Sequence, residues 1–71
     1  MKYSIGIKGF PGYGLSNGEI VRDPQTLDWF NSLEEVLLYM DENGSSLDAD
    51  LKDLGLADAE LNILKAENDP T

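Results

Sequence analysis

The chain has 71 residues, no cysteine, no histidine and a formal net charge of −9. A chain this short forms one domain at most and buries only roughly 60% of the surface its unfolded form exposes, and without cysteine it has neither a disulfide framework nor a thiolate metal site. The lack of histidine removes the side chain most used for proton transfer near neutral pH and the commonest metal ligand, so composition argues against an enzyme and against a bound metal or cofactor.

Hydrophobic residues make up 41% of the chain, enough for a folded domain rather than a disordered tail. In chain order, Tyr3, Ile5 and Ile7 alternate with Lys2, Ser4, Gly6 and Lys8, the period-2 pattern of a half-buried strand over Lys2–Gly9. Phe10–Gly18 is dense in turn residues and Glu19-Ile20-Val21-Arg22 is β-prone, which predicts an antiparallel hairpin with a long, mobile, glycine-rich loop. Asp23-Pro24 closes that strand, and Leu27-Asp28-Trp29-Phe30 reads either as a third short strand or as a helical lead-in.

From Ser32 the period changes. Ser32-Leu33-Glu34-Glu35 is a capping box, in which the serine hydroxyl accepts from the Glu35 amide and the Glu35 carboxylate reaches back. Leu33, Val36, Leu37 and Met40 follow at i, i+3, i+4 and i+7, so a helix is predicted over 33–43 with those four residues as its core face and Asn43-Gly44 as a left-handed stop. Ser45 or Ser46 is expected to cap a second helix over 46–54, with Leu47, Leu51 and Leu54 on one face and Gly55 at its end. Asp58 is expected to cap a third over 58–67, burying Leu61 and Leu64. The fold class expected is α+β: one domain over 1–71, with a small antiparallel sheet of two or three strands in a hairpin region over 1–30, then three short helices and a loose tail from Glu67 through 68–71.

Motifs with specific chemistry fail on the residues they need. Gly9-Phe10-Pro11-Gly12-Tyr13-Gly14 is not followed by the Lys-Ser/Thr and long helix of a phosphate loop. Asp41, Asn43 and Ser45 match the start of a calcium loop, but Ser46 stands at its glycine position and Lys52 at its glutamate. Leu51–Leu61 resembles a helix-turn-helix in its geometry, yet the second helix would show Asp58, Glu60 and Asn62 with Lys65 as its one cation, a face that a duplex repels. No catalytic residue, cofactor-binding residue or metal ligand is assigned, and direct binding to nucleic acid is not expected.

The acids are placed unevenly. Residues 1–27 carry Lys2, Lys8 and Arg22 against Glu19 and Asp23, a net +1, and residues 28–71 carry two lysines against twelve acids, a net −10. Glu34, Glu35, Asp48, Asp58 and Glu60 suit the first turns of helices, whereas Asp41 and Glu42 fall in a last turn, where each negative charge costs about 0.3–1 kcal/mol. Asp50 and Asp53 are like charges three apart, and only Asp48 and Lys52 form a favourable pair at i, i+4 on the second helix. Leu38 falls among the acids on the side of the first helix away from its core face; it is either covered by another part of the chain or an exposed anchor rimmed by charge. The candidate partner-binding residues are therefore Glu34, Glu35, Leu38, Asp41, Glu42, Asp50 and Asp53.

In size, absence of cysteine and histidine, strand-and-helix order and clustered acids, the whole chain resembles the small acidic anti-CRISPR proteins of bacteriophages, several of which mimic DNA. That resemblance implies a monomeric, cytoplasmic inhibitor, in the host cell's cytoplasm if phage-encoded, that binds a basic nucleic-acid-binding surface on a protein partner such as a subunit of a Cas complex. The alternative is an adaptor domain that binds a protein through apolar surface, with the acids serving solubility. The longest apolar run is the five residues Val36–Met40 and the first residues lead into no signal-peptide core, so no membrane segment is expected.

Overall fold

The computed structural model describes residues 1–66, and the tail expected at Glu67–Thr71 lies outside them. The fold is α+β. Strands β1 (Lys2–Ile7), β2 (Phe10–Ser16) and β3 (Glu19–Arg22) are followed by helices α1 (Leu33–Glu42) and α2 (Gly44–Asp53) and by strand β4 (Leu61–Ala66). They form a four-stranded sheet in the order β3-β2-β1-β4, antiparallel at every pairing.

The glycine-rich run is a strand, not a loop. Lys8 and Gly9 make the turn, with Gly9 at φ +83°, and Ile7 pairs with Phe10. The register then jumps to Gly6 opposite Gly14, so Pro11, Gly12 and Tyr13 form a bulge in β2. A bulge leaves residues outside the ladder, which is why a proline is tolerated there. The second turn is Asn17-Gly18, both at positive φ (52° and 80°), the two-residue turn whose twist matches an antiparallel hairpin. It places Ser16 opposite Glu19 and Leu15 opposite Ile20.

The core fills the space between one sheet face and the two helices. Ile5 and Ile7 from β1, Leu15 from β2, Ile20 from β3, Val36 from α1 and Leu47 and Leu51 from α2 are buried together. On the other face Gly6 and Gly14 leave room for neighbouring side chains: a Cβ on Gly14 would lie 2.5 Å from Leu27 Cδ2 and 3.2 Å from Pro24 Cγ, and one on Gly6 would lie 3.1 Å from the Leu64 side chain. The segment after β3 thus crosses over Gly14. It reaches β1 at an isolated bridge, where the Tyr3 amide donates to the Phe30 carbonyl at 3.0 Å and the Phe30 amide to the Tyr3 carbonyl at 2.7 Å. Leu27–Phe30 is therefore a strand-like lead-in with one bridge, rather than a full strand.

α1 begins as the capping box requires. Ser32 Oγ accepts from the Glu35 amide at 3.2 Å, and Glu35 Oε2 accepts from the Asn31 amide at 3.0 Å, one residue before the cap. Its end differs from expectation: Asn43 sits at φ −115°, outside the left-handed region, and is both the last cap of α1 and the first of α2. α2 therefore starts at Gly44, ahead of Ser45 and Ser46, with no side-chain cap. It stops at Gly55 as expected. Gly55, at φ +76°, donates its amide to the Lys52 carbonyl and Leu56 donates to that of Leu51, a Schellman motif closed by two leucines of the core region.

The expected third helix over 58–67 is corrected within the described residues: 61–66 form β4, and Asp58 lies in a turn and caps nothing helical. Leu61 and Leu64, read as one helical face, project to opposite faces of β4. The helix-turn-helix geometry falls with it. The competing force is the ladder with β1, in register from Lys2 opposite Ala66 to Ile7 opposite Leu61. Among the described residues, four strands and two helices thus replace the two or three strands and three helices expected.

Candidate interaction face on the first helix

α1 touches the sheet through Val36, which is fully buried, with Tyr39 and Met40 packed beside it. The Tyr39 ring meets that of Phe30 with centroids 5.3 Å apart, which sets the rotation of the helix about its axis. The core face is therefore turned from the one expected. Leu33 and Leu37, assigned to the core in the sequence reading, are 44% and 48% exposed, and Leu38 is 57% exposed, which settles it as uncovered.

At about 100° per residue, the direction opposite Val36, Tyr39 and Met40 is occupied by Glu34, Leu38 and Asp41, with Leu37 and Glu42 at its flanks. All five are exposed. No described cation forms an ion pair with Glu34, Asp41 or Glu42, the described pairs being Lys8 with Glu60 at 4.0 Å and Arg22 with Asp23 at 3.8 Å. The last turn of α1 carries no basic residue, so the charges of Asp41 and Glu42 meet the negative end of the α1 dipole without a cation in that turn, offset only by the N-terminus of α2 beginning at Gly44. The result is an uncovered leucine surface edged by carboxylates.

The remaining candidate residues sit elsewhere. Asp50 is half-buried and its Oδ2 accepts from the Ile20 amide at 3.2 Å, so this carboxylate ties α2 to β3 instead of joining the α1 face. Asp53 is exposed at the end of α2, and Glu35 is exposed but engaged in the capping box. Asp48 and Lys52, the favourable pair expected along α2, form no ion pair among the described residues.

Compared with known proteins, the chain matches no family model, no curated protein and no solved structure. The function therefore has to be read from the surface itself.

Sequence reading missed Leu33 and Leu37 as surface residues. A signal for them exists in the alternative face Val36, Tyr39, Met40 and Asn43, at i, i+3, i+4 and i+7, which places an amphipathic ring where a leucine was expected. An open cleft of about 340 Å³ lies at another edge of the molecule, lined by Phe10, Gly55, Leu56, Ala57, Asp58 and Ala59. Asp58 is the one ionisable side chain among these lining residues. Among the described residues no helix is long and apolar enough to cross a membrane.

Proposed function

We propose that this protein is a non-enzymatic inhibitor that lays the outer face of α1 against a basic, nucleic-acid-binding surface of a protein partner and so competes with nucleic acid. The observation that carries this reading is the set Glu34, Asp41 and Glu42, exposed on one helix face without a described cation beside them. Glu34 stands two turns, about 10 Å along the axis, from Asp41 and Glu42, so the set spreads negative charge along one side of the helix, which a groove lined with lysine and arginine accepts. The resemblance to anti-CRISPR proteins makes a CRISPR surveillance complex in the cytoplasm the first target to try.

A second reading, an adaptor domain docking through apolar surface, is favoured by Leu33, Leu37 and Leu38. Fully burying an exposed leucine is worth about 1.5–3 kcal/mol, and these three are about half exposed, so together they contribute on the order of 2–5 kcal/mol, part of what a micromolar affinity needs. The two readings separate on salt. Electrostatic capture weakens steeply as ionic strength rises, and leucine docking does not. The test is affinity purification of a partner from bacterial lysate, then its binding to the parent and to the Glu34→Lys, Asp41→Lys, Glu42→Lys triple variant at low and high salt, with duplex DNA as competitor. Loss of binding in the variant, with displacement by DNA, supports the inhibitor; unchanged binding at low salt leaves the adaptor.

A further inference from the structure

The two edges of the sheet are built differently. β3 has four residues, two of them charged, and is closed by Asp23 at φ +55° and by Pro24. Its outward Ile20 amide is already taken by the Asp50 carboxylate. Charge, shortness, proline and a covering side chain are the usual means of blocking an edge against another strand.

Of these devices β4 has, among the described residues, only the charge of Lys65. It is six residues long, and β1 is its one described strand neighbour. The Lys8 amide donates to the Glu60 carbonyl at 2.9 Å, and hydrogen-bonded pairs alternate along an antiparallel ladder, so Asn62, Leu64 and Ala66 turn their backbone groups toward β1. Leu61, Ile63 and Lys65 turn theirs outward, where no described residue meets them. The apolar side chains of Leu61, Ile63 and Leu64 are only half-buried, the first two on the helix face and the third on the other.

We propose that β4 pairs antiparallel with β4 of a second copy of this chain, joining two four-stranded sheets into one of eight. The outward-facing residues are symmetric about Ile63: with Ile63 opposite Ile63 of the other copy, Leu61 falls opposite Lys65 and Lys65 opposite Leu61, and every outward amide and carbonyl of the three finds a partner. On the helix face the two Ile63 side chains meet and each Lys65 stem lies against a Leu61; on the other face Leu64 meets Asn62. A second copy suits this edge. In a molecule of net −9, residues 61–66 carry one lysine and no acid, so two copies joined here bring no carboxylates of β4 into opposition. The prediction of a helix over 58–67 had hidden this edge, and with it the alternative to a monomer. The pairing is independent of the partner-binding role of α1.

Analytical ultracentrifugation of the full chain from micromolar to millimolar concentration tests the pairing, read beside backbone amide exchange. The expected result is a rise from 7.8 kDa to twice that mass, with the Leu61, Ile63 and Lys65 amides gaining protection as the mass rises while the Asn62 and Leu64 amides are protected throughout. Lys65→Pro removes an outward amide and leaves the ladder with β1 intact, so this variant is expected to keep the parent's circular dichroism and stay at 7.8 kDa. A parent that stays at 7.8 kDa at every concentration overturns the proposal, as does a dimer in which the three outward amides remain unprotected. The exchange measurement on the parent decides the matter even where the proline variant does not fold.

Discussion

Asp28 reaches across the molecule to the Gly18 amide, which donates to its Oδ2 at 2.8 Å while the Asn17 amide donates to its Oδ1 at 3.0 Å. One carboxylate thus closes a hairpin turn ten residues away in sequence. The backbone of the same residue is held as firmly: its amide donates to the Leu15 carbonyl at 2.9 Å, and its carbonyl accepts from Ser4 Oγ at 2.8 Å. Ser4 is wholly buried, so this bond also satisfies a hydroxyl that has no access to water. Asp28 joins β1, β2 and the β2–β3 turn, and it fixes where the chain enters α1.

Replacing Asp28 by alanine removes two charge-assisted bonds and is expected to cost about 1–3 kcal/mol. Asp28→Asn keeps one acceptor oxygen and is expected to lose about half as much. Urea unfolding monitored by circular dichroism measures both. An Asp28→Ala variant as stable as the parent would show that water replaces the carboxylate at the turn without loss.

Gly14 has no room for a side chain, because its added Cβ would stand 2.5 Å from Leu27 Cδ2. Gly14→Ala is expected to destabilise the fold by about 1–3 kcal/mol, the range for overpacking a filled site. If Leu27 is what obstructs the methyl, Gly14→Ala combined with Leu27→Ala is expected to cost less than the two single changes together. A double-mutant cycle from urea unfolding reads the coupling, and strict additivity would rule out this contact as the cause.

Reversing charge at the end of α1 is expected to move stability and binding in opposite directions. Lysines at 41 and 42 would meet the negative end of the α1 dipole with the favourable sign, a gain of at most about 0.3–1 kcal/mol each because the positive N-terminus of α2 begins at Gly44. A basic partner would meet them with the unfavourable one. Thermal unfolding and partner binding of Asp41→Lys with Glu42→Lys give the two readings; a fall in both would mean that the acids have a folding role outside the contacts described.

Leu37 and Leu38 are expected to be nearly silent in the folding of the isolated protein. Changing either to serine leaves stability within about 0.5 kcal/mol, as for other surface positions, whereas Leu47→Ala in the buried core costs about 2–5 kcal/mol. Unfolding curves separate the two classes. A large loss at Leu38 would place it in a packed contact and remove it from the binding face.

Local chemistry was sufficient for part of this molecule. The alternation of Tyr3, Ile5 and Ile7 marks β1, the Ser32 capping box starts α1, Leu47, Leu51 and Leu54 define the inner face of α2, and Gly55 ends it, because each signal acts within a few residues of where it is read. The α+β class and the concentration of acids on and after α1 follow from the same short-range information. What the tertiary structure decided is where one segment had to choose between competing partners. Leu61, Leu64 and their neighbours have a spacing that suits a helix, yet the six-residue ladder with β1 takes them as a strand. The glycines of β2 look like loop residues until Leu27 is seen to need the space that Gly14 leaves. The face of α1 is set by the contact between Tyr39 and Phe30, and that rotation leaves Leu33 and Leu37 exposed, as Leu38 is. Asp50 reads as a surface acid and becomes a structural one because α2 packs its carboxylate against the β3 edge. Each of these outcomes depends on residues distant in sequence, whose contacts form only once the chain has folded, so no local pattern could have carried them.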